Sequence, residues 1–305
     1  MNDELRTSPL GHRVPKHWLY RLYEAITLPF AIHFILSSPR IDPHYRLNAW
    51  RRFKLGLRMY RNTKRVFTGI SYRAHLAMAV KLLEIPAAQK GVVVECGCFR
   101  GGTTANLSLL CRLVGRQLYV YDSFEGLPAA QAGDKYAKPE GEGLLSADLE
   151  QVKAHVAACG APEVCTFVKG WFADTTPKHE PPIAMMFLDV DYQSSLTDCI
   201  VNLWPKLIPR GLCFTDEYVF NDYCALFWSE KFWAKNFNRT PPGLMGSGTG
   251  ISVGSFYVGG GGLGQAGRFS RPASIAYTCK HWSGYWNFYP EVNPVHASDE
   301  TQAVT

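Results

Sequence analysis

Several patterns that would assign a chain quickly to a common class are missing here. The main glycine-rich segment reads GCFRGG from Gly97 to Gly102, which is not the G-x-G-x-x-G fingerprint, so a nicotinamide oxidoreductase is disfavoured. Cys96 and Cys98 have no second cysteine pair or histidine at zinc-ligand spacing, which argues against a zinc-thiolate site. No nucleic-acid-binding motif accompanies the basic residues, and no nucleic-acid partner is expected.

Long uninterrupted apolar runs are also missing. The apolar stretch from Trp18 to Leu36 is broken by polar residues and a proline, so its longest uninterrupted run falls far short of the roughly 20 residues that span a membrane. Met1 to Pro15 is polar and lacks the basic-then-apolar pattern of a secretion signal. The nine cysteines lie largely in apolar patterns, as reduced core thiols do, so we expect a cytoplasmic protein.

Acidic residues are scarce in the first 70 positions. Thirteen Lys or Arg face four Asp or Glu there, a balance of +9, whereas the whole chain carries +6 and the remainder therefore −3. The segment from Arg46 to Arg65 can contact phosphate, anionic lipid or an acidic substrate, but a solvated helical face also explains it. We expect Trp18 to Leu36 to form a helix that docks on the domain or on the partner subunit of a homo-oligomer.

The length of 305 residues and a hydrophobic content of 47% allow a full core. We expect one catalytic domain with an extension at each end. Residues 1–70 form a basic, partly helical extension, 71–260 a catalytic domain, and 261–305 an aromatic C-terminal extension.

The most informative stretch is VVVECGCFRGGTT, from Val92 to Thr104. Its valines predict a strand buried on both faces of a parallel sheet, and Glu95 follows at the strand's carboxyl end, where open α/β sheets bind ligands. The glycines allow a tight turn, and Thr103 and Thr104 are predicted to cap the next helix. This arrangement indicates a cradle for a nucleotide-like cofactor, although packing alone also accounts for a glycine turn.

A second predicted strand, Gln117 to Asp122, also ends in an acid. Asp122 lies 27 positions beyond Glu95, near the separation expected for a carboxylate that binds a ribose. Capping of the following loop is the alternative. Further along, residues 144–158 have helical spacing and residues 164–168 read as a strand.

Two later predicted strands, 184–190 and 212–215, deliver four more carboxylates, with a helix predicted over 196–207 between them. These acids are Asp189, Asp191, Asp216 and Glu217. Because like charges that converge are costly, an all-oxygen cluster of this kind favours a hard cation such as Mg²⁺. Helix capping by two of the four is the alternative.

These segments resemble the macrocin O-methyltransferases, which are antibiotic-sugar methyltransferases that use S-adenosylmethionine and magnesium. The matching pieces, in family order, are VECGCFRGGTT (94–104), YDSFEGLP (121–128), VKGWFADTTP (168–177), FLDVDY (187–192) and NLWPKLIPRGLCFTDEY (202–218). The resemblance implies an α/β, Rossmann-like class I methyltransferase fold with a mostly parallel seven-stranded sheet and helices on both faces.

The resemblance also implies site residues. It assigns Asp189, Asp216 and Glu217 to the metal, Asp191 as the general base and Asp189 as a further catalytic residue. Glu95 suits the cofactor's amino group, Asp122 its ribose hydroxyls, and Trp171 or Phe172 the adenine edge. The expected cofactor-binding set is Glu95, Cys96, Gly97, Gly101, Thr103, Thr104, Asp122, Ser123, Gly170, Trp171, Phe172 and Asp189.

The chain departs from the family pattern at Glu217, where the family has a second aspartate. In the loop from Pro128 to Leu144, Asp134, Glu140 and Glu142 are candidates for binding substrate hydroxyls, although a solvated loop explains them too. We therefore expect a metal-dependent O-methyltransferase whose acceptor is a sugar hydroxyl of a glycosylated small molecule or saccharide. The alternatives are methylation of a phenolic or catechol-like hydroxyl, and a non-catalytic binding or scaffold protein that keeps the fold.

Overall fold

The computed structural model describes residues 17–134, 141–216, 221–246 and 275–280. Their central feature is one twisted sheet. Its strands are β1 (Val92–Cys96), β2 (Leu118–Asp122), β3 (Cys165–Lys169), β4 (Ile183–Leu188), β5 (Leu207–Thr215), β6 (Met245–Gly246) and β7 (Ala276–Cys279).

The strands run in the order β3-β2-β1-β4-β5-β7-β6. The first five are mutually parallel, and β7 is antiparallel to both β5 and β6. The mostly parallel α/β architecture is therefore confirmed. The predicted count of seven is reached only by including β6, a pairing of two residues.

Helices cover both faces of this sheet, as predicted. They are α1 (His17–Ser37), α2 (Ala49–Arg65), α3 (Tyr72–Glu84), α4 (Gly102–Val114), α5 (Leu149–Cys159), α6 (Phe172–Thr175), α7 (Gln193–Leu203), α8 (Asn221–Cys224) and α9 (Glu230–Phe237). Successive residues of a strand point to opposite faces, so Val93 packs with Leu82 and Leu110 of α3 and α4. Val94 packs with Leu196 of α7 and Trp233 of α9.

The N-terminal helices dock on this domain, which was one of the two predicted arrangements. Ile32 of α1 lies so close to Gly56 of α2 that a Cβ there would stand 3.2 Å from the Ile32 side chain. Asn62 of α2 in turn donates a hydrogen bond to the Asn106 side chain of α4 at 2.9 Å. Within the described ranges, no helix is both long and apolar enough to cross a membrane.

Three local predictions were wrong for identifiable reasons. The helix predicted from residue 144 begins at Leu149, because the Asp148 carboxylate accepts the Gln151 N–H and caps it there. Leu207 opens β5 rather than closing the preceding helix, since Pro205 follows α7 in a short 3-10 turn. Thr103 and Thr104 lie inside the first turn of α4, whose N-cap is Gly101 at φ +81°.

All nine cysteines fall in the described ranges and are free thiols, as expected.

Candidate active site

Carboxylates follow or end four neighbouring strands at one edge of the sheet. Glu95 lies near the end of β1 and Asp122 ends β2, while Asp189 and Asp216 directly follow β4 and β5. The strand order β2-β1-β4-β5 makes these four ends adjacent. The sequence prediction that the acids share one edge is therefore confirmed for these residues. Glu217 lies outside the described residues.

Glu95 is the most unusual of these groups electrostatically. Its side chain is completely buried, and neither carboxylate oxygen has a hydrogen-bond partner in the described part of the chain. Burial raises the pKa of Glu95 to about 8; the nearby Thr104 hydroxyl moderates the rise and the charge of Asp122 adds to it. The Thr104 hydroxyl also lacks a partner of hydrogen-bonding geometry among the described residues. Such orphaned polar groups mark a place where a polar ligand fits.

The turn after Glu95 brings β1 and β4 into close backbone contact. Gly97 has φ +83°, and a Cβ at this position would overlap the carbonyl oxygen of Asp189. The Asp189 N–H donates to the Cys96 carbonyl at 2.9 Å, which fixes Asp189 beside the glycine loop. The Cys96 side chain points into the core, so only its backbone borders the site.

Asp122 organises the glycine loop. One of its oxygens accepts the Cys98 N–H at 2.7 Å and the Phe99 N–H at 3.3 Å, and the other accepts the Phe124 N–H at 2.7 Å. These bonds join the end of β2 to the loop that follows β1. The hydroxyl of the next residue, Ser123, closes the same turn by donating to the Gly126 carbonyl.

A buried polar network supports the first turn of α4 from behind. His75 of α3 contacts the Asn106 amide through Nδ1 at 2.7 Å and the Thr103 hydroxyl through Nε2 at 3.1 Å. Because an amide NH₂ only donates, Nδ1 accepts and Nε2 carries the proton toward Thr103. Burial lowers the pKa of His75 to about 3, which keeps the ring neutral. No motif marked His75 in the sequence; it interrupts the apolar run of α3.

The residues predicted to border the adenine of the cofactor follow β3, which is an edge strand of the sheet. Gly170 follows β3 with φ +142°, and its N–H donates to the Asp122 carbonyl at 3.0 Å. This contact holds the turn before α6 against the end of β2. The Trp171 side chain is 37% exposed there, whereas Phe172 packs partly into the core. Of the two aromatic candidates, Trp171 is the one available to a ligand.

Asp191 occupies a strained turn between β4 and α7. Its φ is +58°, and the flanking Tyr192 N–H donates to the Val190 carbonyl at 2.6 Å, which makes a γ-turn. Burial, followed by the charges of Asp216 and Asp122, raises the pKa of Asp191 to about 6. These negative groups are near enough to oppose one another's ionisation. Even so, no three His, Cys, Asp or Glu side chains in the described ranges gather closely enough to hold a metal ion.

Asp134 was a candidate for binding a substrate hydroxyl, but its carboxylate is already engaged. It is buried, and it accepts hydrogen bonds from the Ser194 N–H, the Ser194 hydroxyl and the Gln131 N–H at 2.8 to 2.9 Å. These bonds link the loop after β2 to the first turn of α7. Of the two other candidates, Glu142 is exposed and Glu140 lies outside the described residues.

This combination of a mostly parallel sheet, a glycine loop and a row of carboxylates at the carboxyl edge is a Rossmann-like α/β fold. Among solved structures, the O-methyltransferase NovP is similar in fold, with a TM-score of 0.53 and 21% identity over 84% of this chain and 99% of that one.

A family profile described as Macrocin-O-methyltransferase matches residues 69–241, more than half of the chain. The protein therefore belongs to the macrocin O-methyltransferase family.

Two relatives with assigned names are similar in sequence. The first is 8-demethyl-8-(2,3-dimethoxy-alpha-L-rhamnosyl)-tetracenomycin-C 4'-O-methyltransferase of Streptomyces olivaceus, 37% identical over 42% of this chain and 53% of that protein. The second is demethyldecarbamoylnovobiocin O-methyltransferase of Streptomyces niveus, 29% identical over 66% of this chain and 82% of that protein. The chain thus spans about half the length of the first relative and most of the second.

Proposed function

We propose that the protein is an S-adenosylmethionine-dependent O-methyltransferase that methylates a sugar hydroxyl of a glycosylated small molecule or saccharide. Family membership supports the reaction, and the name of the Streptomyces olivaceus relative supports the acceptor class, since it describes the substrate of that enzyme as a rhamnosyl-tetracenomycin. The observation that carries the proposal is Glu95. A fully buried carboxylate without a partner among the described residues, at the glycine loop, suits a ligand that brings a cation.

The residues present fit S-adenosylmethionine. Glu95 would accept hydrogen bonds from its ammonium group, with the Thr104 hydroxyl beside it. Asp122 retains acceptor capacity for ribose hydroxyls, because a carboxylate offers more acceptor sites than the three it uses. The exposed Trp171 indole would border the adenine. When bound, the cofactor would supply a methyl group on a positively charged sulfur; the acceptor oxygen would take this group in line, and the carbon–sulfur bond would break to leave a neutral thioether.

Asp191 is the proposed general base. A sugar hydroxyl is a weak nucleophile, so removal of its proton is the main chemical difficulty. The raised pKa of Asp191, about 6, leaves it ionised at neutral pH yet basic enough to take that proton. Its position between β4 and α7 sets it beside Asp189 and Asp216, at the edge where the cofactor residues lie.

We include a divalent cation in this proposal, with Asp189, Asp216 and Glu217 as its ligands. The carboxylate oxygens on neighbouring strands are the donors that Mg²⁺ prefers, and a cation would offset the mutual repulsion of these negative charges. The ion would bind the acceptor oxygen and lower its pKa. Calorimetry with MgCl₂ tests this part, with loss of the binding heat in Asp216→Asn expected. Binding of Mg²⁺ that is unchanged by Asp216→Asn would contradict the ligand assignment.

Acceptor profiling tests the reaction itself. The full chain is incubated with S-adenosylmethionine, MgCl₂ and a panel of rhamnosides, other deoxysugar glycosides and catechols, and products are read by mass spectrometry. We expect one methyl group on a glycoside and none on the catechols. Methylation of catechols alone would overturn the acceptor class. Failure to bind S-adenosylmethionine would overturn the enzyme assignment and leave a non-catalytic scaffold.

A further inference from the structure

The start of α7 is held by a carboxylate from a distant loop. The N-cap residue Tyr192 supplies no side-chain cap among the described contacts, and the first-turn N–H of Ser194 instead donates to Asp134, 60 residues earlier in the chain, at 2.9 Å. The Ser194 hydroxyl donates to the second Asp134 oxygen at 2.8 Å. A buried carboxylate at a helix N-terminus is stabilised by these donors and by the helix dipole.

Two further contacts join the same loop to the same turn. A Cβ on Gly141 would stand 2.7 Å from the Tyr192 hydroxyl, so the backbone of Gly141 lies directly against that group. Gly133 lies near the Gln193 side chain, at 3.7 Å for a built Cβ. The loop residues on either side of 135–140 therefore both contact residues 192–194. Asp134 makes the hydrogen bonds of this junction: it accepts two from Ser194 and one from Gln131, all at 2.8 to 2.9 Å.

The anchored turn immediately follows Asp191. The positive φ of Asp191 and the γ-turn around it are strained for a residue with a side chain, and such a conformation persists only when its flanks are fixed. On the strand side, Val190 is buried and the Asp189 N–H is bound to Cys96. On the helix side, the contact with Asp134 fixes the first turn.

We propose that Asp134 is a positioning residue that holds Asp191 in its reactive orientation by anchoring the first turn of α7 through Ser194. The inference rests on the proposed function, in which Asp191 is the general base. Asp134 acts without touching the acceptor, since its carboxylate is buried and both of its oxygens are engaged by Ser194 and Gln131. A misplacement of about 1 Å at a reacting group lowers turnover by about 100-fold, so the anchor has a measurable effect on rate.

The test compares Asp134→Asn with Asp148→Asn in the full chain. Asp148 caps α5 by the same kind of bond, to the Gln151 N–H at 3.0 Å, but lies on the exposed surface. For Asp134→Asn we expect kcat to fall by about 10- to 100-fold, with the Kd for S-adenosylmethionine and the acceptor KM changed by less than about twofold. Asp148→Asn should keep the wild-type kcat. Ser194→Ala should lower kcat in the same direction, and the double variant should lose less than the product of the two effects.

Amide hydrogen exchange provides a readout that does not depend on turnover. Peptides covering residues 190–196 should exchange faster in Asp134→Asn and remain unchanged in Asp148→Asn. If Asp134→Asn fails to fold, Ser194→Ala carries both measurements. The proposal is overturned if kcat stays within twofold of wild type, if the acceptor KM rises at constant kcat as for a substrate ligand, or if exchange at 190–196 is unchanged. Absence of turnover in the wild type would contradict the proposed function, while exchange would still decide whether Asp134 anchors the turn.

Discussion

Replacing Glu95 with glutamine should remove most of the pH dependence of the stability of the ligand-free protein near neutral pH. The pKa of Glu95 rises from its ordinary value of 4.5 to about 8 because the group is buried. The folded state therefore holds a proton that the unfolded state releases above pH 4.5, so this group makes stability fall as pH rises from about 4.5 to about 8. One such proton lowers the free energy of unfolding by about 1.4 kcal/mol for each pH unit, which amounts to about 5 kcal/mol over the whole interval between the two pKa values.

Urea denaturation at pH 5, 7 and 9 measures this effect. Glu95→Gln should match the wild type at pH 5 and be more stable at pH 9, by an amount that approaches the full figure of about 5 kcal/mol. Glu163→Gln is the control, because Glu163 is an exposed glutamate whose ion pair with Arg112 lies on the surface. Equal pH dependence in the wild type and Glu95→Gln would refute the reasoning.

The same proton should be released when S-adenosylmethionine binds. At pH 7 a group with a pKa of about 8 is about nine-tenths protonated, and its contact with an ammonium group favours the charged form. Calorimetry in phosphate and in Tris, which differ in ionisation enthalpy, should show nearly one proton released per ligand at pH 7. Affinity should rise with pH up to about 8. Glu95→Gln should bind more weakly and release no proton; tight binding by this variant would contradict the assignment.

Two further predictions concern the structure around the glycine loop. The contribution of His75 to stability should fall as pH drops from about 6.5 toward 3, because the pKa of this buried residue is lowered to about 3 and the unfolded chain takes up the proton first. Thermal unfolding at pH 7.5 and 5 isolates this contribution by comparison: the stability of the wild type relative to His75→Gln should be lower at pH 5 than at pH 7.5, since Glu95 affects both proteins alike; a difference that does not change with pH would contradict it. Gly97→Ala should cost several kcal/mol and abolish cofactor binding, because its Cβ overlaps the Asp189 carbonyl oxygen. Gly115→Ala has a similar positive φ of +69° but open space around it, so it should cost only about 1 kcal/mol in the same denaturation assay; equal costs would show that the overlap is unimportant.

The sequence was sufficient to predict the parallel sheet and the edge at which its acids meet. Continuous apolar runs ending in Glu95, Asp122 and Asp189 indicate buried parallel strands, and the carboxyl ends of such strands necessarily lie at one edge. Strand β6 and the pairing of β7 were not identified, because short antiparallel segments carry little periodicity and depend on their neighbours.

The contacts that set the chemistry of the site were less accessible from the sequence. The approach of Asp134 to Ser194 spans 60 residues, and no local pattern encodes a cap provided by a distant loop. The link from His75 to Thr103 depends on how α3 packs against α4. The positive φ of Asp191 likewise arises from the tight connection between β4 and α7, which composition does not reveal.

The central claim is that the carboxylates at this sheet edge carry out methyl transfer with Asp191 as base. Its most direct test is the single-turnover rate of methyl transfer from S-adenosylmethionine to an accepted glycoside, measured for the wild type, Asp191→Asn and the surface control Asp148→Asn. We predict that Asp191→Asn binds the cofactor normally but loses about 100- to 10,000-fold in rate, as expected for removal of a general base, while the control retains the wild-type rate. A wild-type rate in Asp191→Asn would contradict the account.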